Sequence, residues 1–155
     1  MKNLQNKFIS GLDGLRAIAV IMVVGYHLSF SLFKGGVLGV TIFFVISGFL
    51  ITRLLLQELE NKNSIDLKNF WIKRIKRIWP ALVFMISITI IVSAIFNRVL
   101  FTKACRDFIS AILGFNNWYQ IFNNISYFDN GGAPSPLLHC WSLAIETQFY
   151  LIFPI

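Results

Sequence analysis

IWPALVFMISITIIVSAIFN, Ile78 to Asn97, runs twenty residues without a charge. A helix rises about 1.5 Å per residue, so about 20 residues cover the roughly 30 Å hydrocarbon core of a bilayer. This stretch therefore has the length and composition of a membrane span. Working outward from it toward the N-terminus, GGVLGVTIFFVISGFLIT (Gly35 to Thr52) lies between Lys34 and Arg53. AIAVIMVVGYHLSFSLF (Ala17 to Phe33) lies between Arg16 and Lys34. With charged residues as the ruler, three spans are predicted. Toward the C-terminus, Phe108 to Phe128 is uncharged but contains Asn116, Asn117, Gln120, Asn123 and Asn124. Amides are costly in lipid, so this stretch spans with protein or water facing them, re-enters, or lies at the interface. The final stretch, Leu137 to Ile155, is apolar apart from His139 and Glu146 and reads as a helix interrupted by the end of the sequence.

Composition points the same way. Of 155 residues, 56% are hydrophobic and 14% charged, and the mean hydropathy is +0.68. A soluble domain carries about 25% charged residues, and a disordered one lacks aromatics, whereas this chain has 16 Phe and 4 Trp. An all-α, polytopic transmembrane helical bundle is the expected fold. The two cysteines, Cys105 and Cys140, match neither a disulfide framework nor a zinc or CxxC spacing. The net charge of +7 lies largely between apolar blocks, where anionic lipid heads, rather than nucleic acid, are its natural counterion.

Charge asymmetry sets the expected topology. Arg53, Lys62, Lys68, Lys73, Arg74, Lys76 and Arg77 outnumber Glu58, Glu60 and Asp66, which assigns this segment to the cytoplasm. One hairpin earlier, the N-terminus with Lys2 and Lys7 is then cytoplasmic as well, and the Lys34 turn is external. A second apolar block follows the first almost at once, without a small-residue cleavage site, so the first is a retained helix rather than a signal peptide. After Asn97 the rule loses its hold, because Arg98, Lys103 and Arg106 would face outward. The loop Asp129 to Pro136 is cytoplasmic if Phe108 to Phe128 spans and external if it does not; its Gly131, Gly132, Pro134 and Pro136 exclude a regular helix.

The polar residues that lipid does not explain carry the functional reading. Arg16 and His27 are eleven helical steps apart, which returns them to within about 20° of one face and separates them by roughly 16 Å. Arg16 suits either a snorkelling anchor or a contact with an anionic group; His27 is either a satisfied packing residue or a proton-exchanging one. Asp13, three residues before Arg16, can orient it or cap the helix. Gly35 and Gly39 form a GxxxG spacing suited to close helix contact. In FWIKRIKRIWP, Phe70 to Pro80, Trp71 and Trp79 suit an interface, and the four cations between them suit either lipid heads or a phosphate-rich ligand. Pro80 is expected near the start of the third helix, where a missing N–H is harmless. Glu146 is the hardest residue to dismiss, because a carboxyl group among apolar neighbours has to be paired, protonated or exposed to a polar cavity. His139 lies seven residues earlier, about two turns along the same face. Cys140 beside His139 is no Cys/His pair, since adjacent helical residues do not face one another. No P-loop, HExxH, GxGxxG or GxSxG pattern occurs, and no metal site is predicted.

Four blocks in order, GLDGLRAIAVIMVVGYH, GVTIFFVISGFLIT, FWIKRIKRIWPAL and LLHCWSLAIETQFYLIFP, resemble the membrane acyltransferase 3 family, especially its bacterial peptidoglycan or surface-polysaccharide O-acetyltransferases. The resemblance runs from about Gly11 onward. It implies a multi-pass enzyme of the bacterial plasma membrane that takes an acyl group, commonly acetyl, from an acyl-CoA donor. The acceptor it implies is a hydroxyl on a carbohydrate or lipid-linked glycan. Acetyl-CoA is then a co-substrate, and no tightly bound cofactor is expected. The family's functional residues map onto Arg16, His27 and Glu146 as catalytic, Arg74 and Arg77 as donor-binding, and His139 and Trp141 as substrate-binding. Where many members carry a second acidic residue after the glutamate, this chain has Thr147, so a two-carboxylate mechanism does not transfer. The resemblance also implies a roughly ten-helix domain, of which residues 1–155 form the N-terminal part, with the remaining C-terminal part as its partner. A transporter or assembly subunit with a polar intramembrane pathway is the competing reading.

Overall fold

The computed structural model describes residues 9–125 and 134–155, and the loop expected over Asp129 to Pro136 lies outside the described residues up to residue 133. Among the described residues the secondary structure is helical throughout: α1 (Ser10–His27), a single 3₁₀ turn (Ser31–Phe33), α2 (Leu38–Lys62), α3 (Leu67–Phe96), α4 (Arg98–Ile112), α5 (Asn116–Phe122) and α6 (Cys140–Ile152). They divide into two compact units, Met1–Ile65 and Asp66–Ile155.

In the first unit α1 packs against α2. The helix α1 does not occupy Ala17 to Phe33 as the charge gaps suggest; it begins at Ser10 and ends at His27. Asp13 and Arg16 stay inside it because they pair with each other across one turn, 3.6 Å apart, at the (i, i+3) spacing. The chain then breaks at Ser29, whose φ of 58° no continuing helix accepts. The close contact with α2 is made by Gly36 and Gly39, not by Gly35 and Gly39. A Cβ on Gly36 would lie 2.1 Å from the Met22 carbonyl oxygen, and one on Gly39 2.5 Å from that of Ala19, whereas one on Gly35 would meet nothing within 4 Å. Gly35 misses the contact because α2 begins only at Leu38, so residues 35 and 39 do not share a helical face. Gly39→Ala is expected to destabilise this pair by about 1–3 kcal/mol, since the Ala19 backbone, together with Val23 Cγ2 at 2.8 Å, fills the space. A lowered unfolding midpoint of the detergent-solubilised protein, with helix content unchanged at low temperature, is the result that checks it.

In the second unit α3 packs on α4, and α5 and α4 both pack on α6. Asp66 starts α3 by accepting the Asn69 N–H at 3.0 Å, a side-chain cap on donors that the first turn leaves without helical partners. Pro80 lies well inside this 30-residue helix rather than near its start, so the Lys76 carbonyl lacks its usual donor. The basic segment is therefore the first third of α3, continuous with the apolar Ile78–Phe96. Asn97 makes the corner to α4: its N–H donates to the Ser93 carbonyl, and its side chain accepts the N–H groups of Val99 and Leu100. Leu82, Ile86, Ala104, Ala111, Leu137 and Cys140 form the core where α3, α4 and the start of α6 meet.

The stretch Phe108 to Phe128 is not one helix. It contains the end of α4, a turn at Gly114 (φ 73°) and the seven-residue α5, after which Asn124 again has a left-handed backbone. Two of the described helices, α2 and α3, are long and apolar enough to cross a membrane, and only 22% and 17% of their apolar windows are buried. A core helix of a soluble protein is mostly buried. These helices instead present Val45, Phe84, Ile95 and Phe96 outward, each with two thirds or more of its surface accessible. Of the three predicted spans, two meet the criterion; α1 at 18 residues, with Asp13 and Arg16 in its first two turns, is not among them.

Candidate active site

Sequence reasoning singled out a carboxyl group in α6 and a basic run in α3, and the second unit brings them together. Glu146 is half-buried, and the hydroxyl of Tyr150, one turn further along α6, donates to its Oε1. The ring of Tyr150 faces the Arg74 guanidinium, whose central carbon is 5.7 Å from the ring centroid and 5.4 Å from that of Phe70. Both distances are in the cation–π range. Trp71 completes the join: its indole N–H donates to the Tyr150 carbonyl at 3.0 Å. That carbonyl belongs to the last turn of α6, where helical acceptors lack intrahelical partners, so the bond satisfies an atom the helix leaves open. Trp71 therefore does more than mark an interface.

Arg77, one turn beyond Arg74, is exposed. His139 stands just before the first residue of α6 and is also exposed; Ser142 Oγ donates to its carbonyl at 3.2 Å. Trp141 is half-buried in the first turn. Two helical turns separate His139 from Glu146, about 10 Å along the axis.

The amides that seemed unsuited to lipid lie where α4, α5 and the start of α6 meet. Asn116 and Gln120 are buried and linked: Gln120 Nε2 donates to Asn116 Oδ1 and, at 2.8 Å, to the Leu138 carbonyl, while Asn116 Nδ2 donates to Ser110 Oγ at 3.0 Å. Gln148, two residues after Glu146, donates to the Gly114 carbonyl at 3.0 Å and accepts from Trp118 Nε1 at 3.2 Å. Buried polar groups need such partners, and here protein supplies them. Asp107, 3% exposed, joins this network through its carbonyl, which accepts from Ser110 Oγ at 2.8 Å, and its carboxyl is hydrogen-bonded with Ser135. Burial pushes its carboxyl above the ordinary range, opposed by the Ser135 bond and by the charges of Arg106 and Lys103.

Thr147 is buried, with its hydroxyl donating to the Ala144 carbonyl at 2.9 Å. It lies against the Gly114 turn, where even a Cβ on residue 114 would come within 2.9 Å of its Oγ1. The position beside Glu146 is a packing position here, without room or solvent for a second carboxylate.

In the first unit, Arg16 and His27 are both on α1 at the expected separation, and Asp13 orients Arg16 rather than capping the helix. His27 Nδ1 lies 2.7 Å from the Val23 carbonyl, which can only accept, so Nδ1 is the donor in this contact. Tyr26 packs edge-on against the imidazole, with centroids 5.3 Å apart.

Tyr150 and Gln148 escaped the sequence reading. An (i, i+4) Glu–Tyr pair is a spacing signal that points to the first, whereas nothing local ties Gln148 to Gly114.

These polar residues stand on helices of which two have the length and composition to cross a membrane. The acyltransferase domain of type 3 matches residues 9–155, and the chain belongs to that family. Among its relatives, the peptidoglycan O-acetyltransferase OatA of Listeria monocytogenes is 51% identical over 96% of this chain and 24% of its own length. The putative peptidoglycan O-acetyltransferase YrhL of Bacillus subtilis is 48% identical over 99% of this chain and 24% of its own. The O-acetyltransferase OatA of Staphylococcus aureus is 49% identical over 96% and 24% respectively. The chain thus spans about a quarter of the length of these relatives. No solved structure matches it.

Proposed function

We propose that the full-length protein carrying this domain is a multi-pass enzyme of the bacterial plasma membrane, with its N-terminus in the cytoplasm. It transfers an acetyl group from acetyl-CoA to a hydroxyl of a cell-surface carbohydrate such as peptidoglycan. The observation that carries this reading is the Glu146–Tyr150–Arg74 cluster: a carboxyl group and a guanidinium held together at the cationic end of an otherwise apolar helix. Membership of the acyltransferase family and the printed activities of the relatives support it.

The chemistry needs three things. A thioester is already activated, so the acceptor hydroxyl needs a base, the donor's phosphates need cations, and the carbonyl oxygen needs stabilisation as charge develops on it. The hydroxyl oxygen attacks the thioester carbonyl, the C–S bond breaks, and the proton lost by the hydroxyl ends on the departing CoA thiol. His27 carries that proton. Arg16, Arg74 and Arg77 help receive the donor's phosphates, and Glu146 orients or charges a partner. His139 and Trp141 contact the acceptor or the acyl chain. Residues 1–155 act here as the N-terminal part of the catalytic domain.

In membranes containing the full-length protein, radiolabel from acetyl-CoA is expected to enter wall or membrane glycans. Substrate movement across the membrane without covalent modification would favour transport instead. Removing both charges with R74A/R77A is expected to weaken acetyl-CoA binding by about 10- to 100-fold, the loss of two charge-assisted contacts partly screened by solvent. Unchanged donor affinity in direct binding overturns the phosphate assignment.

A further inference from the structure

We infer that Tyr150 is a positioning residue that sets the carboxyl group of Glu146 and the guanidinium of Arg74 in a fixed mutual geometry; this rests on the acyltransferase reading above. Three separate interactions converge on this one side chain and its backbone. Its hydroxyl donates to Glu146 Oε1, its ring lies 5.7 Å from the Arg74 guanidinium carbon, and its carbonyl accepts the Trp71 indole N–H at 3.0 Å. The residue is 8% exposed, so its ring is held by packing rather than by lipid or water.

The three contacts act on different groups. The hydroxyl fixes Glu146 along α6. The ring gives the planar guanidinium a face to lie on, and Phe70 gives it a second. The Trp71 bond sets the height of α6 against the basic turn of α3, 79 residues away in sequence. The phenol engages both groups, its hydroxyl the carboxyl and its ring the guanidinium.

Because hydroxyl and ring do different work, they can be removed one at a time. Tyr150→Phe deletes the hydroxyl and keeps the ring, and Tyr150→Leu deletes both. In nanodiscs carrying the full-length protein, with acetyl-CoA as donor and rates normalised to protein amount, Tyr150→Phe is expected to lower kcat about 10- to 100-fold with donor KM within twofold of wild type. That range corresponds to one hydrogen bond to a charged group. Tyr150→Leu is expected to show the same fall and a donor KM raised a further 2- to 5-fold, the loss of one cation–π face. A purely structural residue would not split kcat from KM in this way.

A Tyr150→Phe protein with kcat within twofold of wild type overturns the inference. So does a rise in donor KM of the same size in both variants. The isosteric Phe variant is decisive by itself if the Leu variant does not accumulate. An active wild type with an unaffected Phe variant defeats only this inference, whereas an inactive wild type defeats the acyltransferase reading beneath it.

Discussion

His27→Ala in the full-length protein is expected to lower acetyl transfer by about 10²- to 10⁴-fold, the range general-base catalysis supplies, with donor affinity unchanged. The orientation of the ring motivates the expectation. With Nδ1 donating to the Val23 carbonyl at 2.7 Å, the imidazole is oriented by its own helix. A structural role makes a different prediction. At the last residue of α1, a cationic histidine interacts favourably with the helix dipole by about 0.3–1 kcal/mol, and its loss would lower thermal stability without touching turnover. His27→Gln separates the two, since glutamine keeps a side-chain donor and acceptor but cannot take up a proton near neutral pH. Turnover within twofold of wild type in both variants, at normal protein levels, would remove His27 from the reaction.

The parts of the fold that were legible in sequence are those governed by long apolar runs. The stretch Ile78 to Asn97 is the apolar part of α3 to within a residue, because lipid-length hydrophobicity and a helix-breaking cap at Asn97 coincide there. Elsewhere the distance between charges proved a poor measure of a helix. Charge gaps report where solvent or headgroups begin, whereas a helix ends where its backbone hydrogen bonds end. Asp13 and Arg16 neutralise one another inside α1, and α2 continues past Arg53 to Lys62, where Lys62 donates to Glu58 at 2.8 Å. Conversely, the uncharged stretch after Asp107 is broken by Gly114, whose carbonyl is held by Gln148, 34 residues away.

The candidate site divides along the same line. Glu146 was visible because a carboxyl in an apolar run demands a partner, and Arg74 because it lies in a run of four cations beside a span, which suits lipid heads or a phosphate-rich ligand. Their meeting was not visible, since it depends on Tyr150 and Trp71 joining helices that are far apart in sequence. The amides of α5 left several readings open for a related reason. Read along the chain they are a polar interruption of a span, and only the packing of α5 on α6 turns Asn116 and Gln120 into a satisfied, buried network.

Glu146→Gln is the second large effect expected, and it asks what the charge itself contributes. Glutamine has almost the same shape, and its Oε1 can still accept the Tyr150 hydroxyl, so packing and the hydrogen bond survive while the negative charge is lost. If Glu146 only joins α6 to its surroundings, turnover and stability should both stay near wild type. If the carboxylate orients or charges the reacting groups, kcat should fall by about 10²-fold or more while the protein remains folded, as electrostatic groups at reaction centres typically show. The comparison with Tyr150→Phe sharpens the reading. That variant keeps the charge and loses the bond that aims it, so its loss of kcat should be the smaller of the two. Should Glu146→Gln prove the milder change, with kcat within twofold of wild type, the carboxylate has no part in the chemistry, and the phenol–guanidinium contact alone would account for whatever Tyr150 contributes.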